Sequence, residues 1–170
     1  MRERSQQKGK DYLNSVKAWL LKRPLLGYAV EPFGEAYDLS SVATEIGGQQ
    51  FDLSFKLLEG KSTKKIAYFE CKYRNENSGN INAEFQKFIK SVYTAVIGCN
   101  NPDQQKNAEF VFISNIPPDK WRKFMNNKTD FLKEALRDEN GSIVNETALQ
   151  KMVNSFHVLI LSDRIITGRV

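Results

Sequence analysis

Asp52, Glu70 and Lys72 are the residues of this chain whose types and spacing could do chemistry together. Asp52 falls in Phe51-Asp52-Leu53-Ser54-Phe55, whose period-two alternation predicts a strand with Phe51, Leu53 and Phe55 on one face and Asp52 and Ser54 on the other. Glu70 and Lys72 fall in Ile66-Ala67-Tyr68-Phe69-Glu70-Cys71-Lys72-Tyr73, an aromatic-rich run expected to return as the second arm of a hairpin across the polar Glu59-Gly60-Lys61-Ser62-Thr63 turn. Ala67, Phe69 and Cys71 then share one face, and Tyr68, Glu70 and Lys72 the opposite one. Two carboxylates and an ammonium converge.

Two carboxylates held close raise each other's pKa unless a cation pairs them. Mg2+ is suited to the task, because it takes oxygen ligands from one or two carboxylates plus waters and substrate phosphate. The backbone carbonyl of Cys71, between Glu70 and Lys72, offers a further oxygen. A lysine beside such an ion can orient or deprotonate water and meet charge developing on a phosphate. Together these groups meet the needs of phosphodiester hydrolysis. The competing reading is a cross-strand salt bridge on a solvated sheet face, worth less than about 1 kcal/mol. Against it stands Tyr68 on the same face, beside neighbouring strands that read as buried on both sides, where a lone extra carboxylate is costly.

The elements that must position these groups follow from periodicity. Tyr12, Leu13, Val16, Trp19 and Leu20 predict an amphipathic helix from Lys10 to Arg23, stopped by Pro24. Gly27 to Phe33 is a short strand candidate that Pro32 assigns to an edge, and Gly47-Gly48 punctuates the chain before Phe51. After a polar loop from Arg74 to Asn80, Phe85, Phe88, Ile89, Val92 and Val96 keep a helical period to about Gly98. Phe110 to Ser114 is a central strand by its nearly unbroken apolar run. Trp121 to Asp138 reads as helix broken near Asn126-Asn127, Thr147 to Val153 as a short helix, and Phe156 to Leu161 as a last buried strand. The order predicts an α/β protein with a mixed sheet between helices.

At this point the chain resembles a known family, the PD-(D/E)xK or restriction-endonuclease-like nucleases. Gly47-Gly48-Gln49-Gln50-Phe51-Asp52-Leu53 followed by Tyr68-Phe69-Glu70-Cys71-Lys72 carries the likeness, and the order of elements is similar over roughly Gly9 to Ser114. The resemblance implies an αβββαβ core and a metal-dependent endonuclease acting on DNA, with Mg2+ as cofactor and Mn2+ as its substitute. It implies that Asp52 and Glu70 bind the metal with the Cys71 carbonyl, and that Lys72 positions the attacking water. It brings Gln86 and Lys90, one turn apart on the following helix, towards the site, where Gln86 would hydrogen-bond a phosphate or a water. Many members carry an acidic residue in the first helix. Here only Asp11 lies near that place, with Glu35, Asp38 and Glu45 in the unassigned stretch that follows. That gap supports an alternative, a catalytically inactive nuclease-fold module that binds nucleic acid or assembles with a partner. A homodimer, with one site per strand, is the form in which such nucleases often cut both strands, although no feature of the chain identifies an interface.

The totals agree with one domain over residues 1–170, its first eight residues expected as a disordered basic arm. A net charge of +5 favours a polyanionic partner only modestly. No apolar stretch approaches the roughly 20 residues that span a bilayer, and the polar start is not a signal peptide, so a cytoplasmic protein without membrane contact is expected. The apolar end, Ile165 to Val170, suits a domain cut from something longer. Cys71 and Cys99 have neither zinc nor redox spacing and read as reduced core thiols. His157, in an apolar strand, reads as a structural histidine. Lys120, Arg122, Lys123 and Lys128 beside Trp121 and Phe124 fit a nucleic-acid surface and a core edge equally well.

Overall fold

A computed structural model describes residues 2–32, 45–74, 80–137 and 143–167. Helix α1 (Arg2–Leu20) is followed by strands β1 (Ala29–Pro32), β2 (Glu45–Ile46), β3 (Gln49–Gln50), β4 (Leu53–Glu59) and β5 (Ser62–Lys72). Helices α2 (Ile81–Gly98) and α3 (Pro102–Lys106) lead into β6 (Ala108–Ser114). The chain continues through α4 (Trp121–Asn126), α5 (Lys128–Leu136), α6 (Glu146–Ser155), β7 (Phe156–Ile160) and α7 (Asp163–Thr167).

The main sheet has the order β1-β4-β5-β6-β7. β1 and β4 pair antiparallel, as do β4 and β5, while β5, β6 and β7 run parallel. This is the mixed sheet between helices that the order of elements predicts. β1 takes the edge that Pro32 requires, and the expected break at Asn127 is real, its side chain capping α5 by accepting from Asp130 N.

Helices cover both faces, so the sheet carries two cores. Tyr12, Val16 and Leu20 of α1 pack on Leu53, Phe55, Leu57, Phe69, Val111 and Ile113. On the other face, Phe85, Phe88, Ile89 and Val92 of α2 join Tyr68, Phe110, Phe112 and Phe156. Strand alternation explains the split, since odd-numbered residues of β4, β5 and β6 face α1 and even-numbered residues of β5 and β6 face α2.

Three expectations are corrected. Helix α1 begins at Arg2, so residues 2–8 form its first turns and not an irregular arm; a polar segment gives no apolar period by which to see this. The same helix ends at Leu20, before Arg23. Phe51 does not share a face with Leu53 and Phe55. The chain bends at Asp52, one residue before β4, and turns Phe51 into the α2 core against Tyr68, Phe88 and Phe110. Gly47 and Gly48 turn β2 into β3 at positive φ, and a Cβ on Gly47 would lie 2.0 Å from the Ala95 carbonyl oxygen of α2. The glycine thus serves close packing of this hairpin on α2.

Candidate functional site

The charged residues singled out by spacing meet where β4 begins and β5 ends. Leu53 pairs with Phe69 in the antiparallel ladder, so Asp52 stands just beyond it, beside Glu70. The Asp52 backbone N–H donates to Phe69 O at 2.9 Å, and its Oδ2 accepts from Cys71 N at 2.9 Å. The carboxylate therefore replaces the strand partner that Cys71 would otherwise have. In such a ladder a residue's N–H and C=O project towards the same neighbouring strand, so the Cys71 carbonyl faces the Asp52 edge as well.

Lys72 Nζ lies 2.6 Å from Glu70 Oε1 and 3.9 Å from Asp52 Oδ2. The expected trio is assembled. Spacing did not reveal two further members. Glu84, on the first turn of α2, places Oε2 at 4.0 Å from Lys72 Nζ, and Arg74 Nη2 donates to its Oε1 at 2.9 Å. Asn115, just after β6, fixes this segment by accepting from Arg74 N at 2.8 Å and donating to Arg74 O at 2.7 Å. Asn82 and Asp119 similarly tie the start of α2 to the loop before α4. An acidic residue in the first turn of the helix after Glu-x-Lys was the available sign of Glu84, since negative charge suits a helix N-terminus.

The electrostatics show a cluster short of positive charge. Burial pushes the Glu70 carboxyl above its ordinary pKa, and Asp52 and Glu84 add to this despite the contact with Lys72. Burial opposes the Lys72 ammonium, but Glu70, Asp52 and Glu84 outweigh it and hold the lysine charged. The Cys71 thiol is pushed well up, first by burial and then by Asp52 and Glu70, which favours the thiol over the thiolate.

Two carboxylates with a backbone carbonyl on their edge form a hard oxygen set. This donor set fits a divalent ion of the Mg2+ class, which needs few protein ligands. Among the described residues no group of three or more His, Cys, Asp or Glu is arranged to hold a metal, so the fit rests on Asp52, Glu70 and the Cys71 carbonyl.

Other candidates lie elsewhere. Gln86 Nε2 donates to Ala135 O at 2.6 Å, joining α2 to α5, and Lys90 is solvent-exposed. Asp11 accepts from Gln7 within α1, and Glu45 is exposed in β2. Glu35 and Asp38 lie outside the described residues. His157 Nε2 is 2.7 Å from Glu109 Oε2, the structural role expected of it. Phe124 belongs to the α2 core, with Lys128 over its ring, while Arg122 and Lys123 are exposed. No helix among the described residues is long and apolar enough to cross a membrane.

No family model matches the chain, and no curated protein matches it.

Proposed function

We propose that this chain is a metal-dependent endonuclease that hydrolyses phosphodiester bonds in DNA, on a restriction-endonuclease-like core. The observation that carries the reading is the meeting of Asp52, Glu70 and Lys72 at one end of the β4–β5 ladder. Asp52 and Glu70, with the Cys71 carbonyl, would hold Mg2+ or Mn2+. When bound, that ion supplies a Lewis acid for the phosphate and eases deprotonation of water.

The chain's own residues do the rest. Asp52 is fixed by the Cys71 N–H, so one of its oxygens is positioned. Lys72 directs its ammonium protons towards water and phosphate oxygens, and offsets charge that builds as the P–O bond breaks. Glu84 and Arg74 hold the end of β5 against α2, which limits the positions open to Lys72.

Purified protein should nick supercoiled DNA with Mg2+ or Mn2+, stop in EDTA, and lose cleavage on Lys72→Ala while keeping its circular dichroism spectrum. Full activity of that variant would overturn the assignment of Lys72. One observation favours a second reading, a DNA-binding module without catalysis: Lys72 is already paired with Glu70 at 2.6 Å, a self-satisfied arrangement. Salt-sensitive DNA binding with no cleavage in any divalent metal would select it.

A further inference from the structure

Between the N-terminal half of α1 and the end of β5 lies a cleft of about 340 Å³, whose lining includes Gly9 and Lys10 on one side and Asp52, Lys72, Tyr73 and Arg74 on the other. Its floor is recessed. The Lys72 side chain is 22% exposed and that of Asp52 35%. The cleft thus brings together Lys10, the Asp52 carboxylate, the Tyr73 ring, Lys72, which pairs with Glu70, and Arg74, which pairs with Glu84.

Tyr73 packs against α1 there. Its ring packs on Tyr12 of α1 with centroids 5.4 Å apart, and its hydroxyl donates to Asp163 Oδ2 at 3.4 Å. Gly9 stands opposite, inside a helix that glycine weakens. A Cβ built on it meets nothing within 4 Å, so packing within the chain does not require a glycine. The missing side chain instead leaves room in the cleft.

An aromatic ring beside basic side chains suits an unpaired strand, whose bases can leave the stack to lie on the ring while its phosphates meet the cations. In an intact duplex the base faces are covered by their neighbours, so none is free to lie on the ring. We propose that this cleft takes a single DNA strand, with a base on Tyr73 and the flanking phosphates between Lys10 and Arg74. The preferred substrate is then unpaired DNA, such as a single strand or a flap. This rests on the reading of Asp52, Glu70 and Lys72 as a phosphodiester-cleaving centre.

The test is fluorescence anisotropy in EDTA with a labelled single strand of about 12 nucleotides and the same sequence as duplex, a length within the usual site sizes of single-strand binders. The single strand should bind roughly tenfold tighter, the effect expected of one stacked base. Tyr73→Leu should lose most of that preference, and Tyr73→Phe, which keeps the ring, should bind more tightly than Tyr73→Leu. Gly9→Leu, at a position where a Cβ meets nothing within 4 Å, should weaken single-strand binding while leaving the helical signal intact. The same oligonucleotides are then incubated with Mg2+. Single-strand preference without cleavage supports the cleft and overturns the nuclease reading. Cleavage with equal or tighter duplex binding overturns the cleft and leaves the nuclease. Absence of both binding and cleavage overturns both.

Discussion

Glu84 accepts a hydrogen bond from Arg74 at 2.9 Å, and this pair links the first turn of α2 to the chain leaving β5, beside Lys72. Both side chains keep about a quarter of their surface in water, so solvent screening limits what the pair contributes to stability. Glu84→Gln should therefore lower unfolding free energy by no more than about 1 kcal/mol in urea titrations. Lys72 keeps Glu70 in that variant, so cleavage should decline without disappearing. A loss of folding, or cleavage at the full wild-type rate, would contradict this account of Glu84.

Much of the site was legible because strands alternate. Glu70 and Lys72 are two apart, so they share a face whatever the register, and Asp52 needed only the hairpin to reach them. The helix was harder. Gln86 stands about 200° around α2 from Glu84, so the turn of the helix that brings Glu84 towards Lys72 directs Gln86 to Ala135 of α5. Glu84 stands beyond the polar run from Arg74 to Asn80, across which the sequence keeps no periodicity to fix its separation from Lys72. Phe51 was misplaced for a related reason, because alternation holds only inside a strand and the chain bends at Asp52. The first turns of α1 carry no apolar stripe and left no sign of a helix.

Gly47 and Gly48 separate two reasons for a glycine. Both have positive φ, but a Cβ on Gly47 would strike the Ala95 carbonyl, whereas Gly48 has nothing within 4 Å. Gly48→Ala should cost only the backbone strain, about 1–2 kcal/mol. Gly47→Ala must also push β2–β3 off α2 and should cost clearly more, enough to lower the thermal midpoint well below that of Gly48→Ala. Equal midpoints would mean that the hairpin does not depend on this close approach.

Glu109 is buried in β6 and contacts both Lys65 and His157. Burial alone would raise its pKa, but these two partners outweigh it and hold the carboxyl below its ordinary 4.5. Its contribution is therefore fully present above that value and lost as pH falls through the depressed folded value. Glu109→Gln should be about 2 kcal/mol less stable than wild type at pH 7, the scale of hydrogen bonds to a charged group. The gap should begin to narrow below pH 4.5 and close as pH falls through the lower folded value, where Glu109 of the folded wild type becomes neutral. Guanidinium unfolding of both proteins across this range would show it, and a gap independent of pH would assign the effect to packing.

A divalent ion held by Asp52 and Glu70 must stabilise the folded chain, because the unfolded chain has no such pair. At a Mg2+ concentration about 100 times Kd the gain is about 2.7 kcal/mol, which for a chain of this size raises the thermal midpoint by about 5–10 °C. Asp52→Asn keeps an oxygen to accept from Cys71 N but removes the charge, so the hairpin should survive and the Mg2+ shift should vanish. Differential scanning calorimetry with and without Mg2+ reads this without reference to cleavage. Equal shifts in wild type and Asp52→Asn would place the ion elsewhere. An absence of shift in wild type would leave Asp52, Glu70 and Lys72 as a self-paired charge cluster, as the 2.6 Å contact between Glu70 and Lys72 allows.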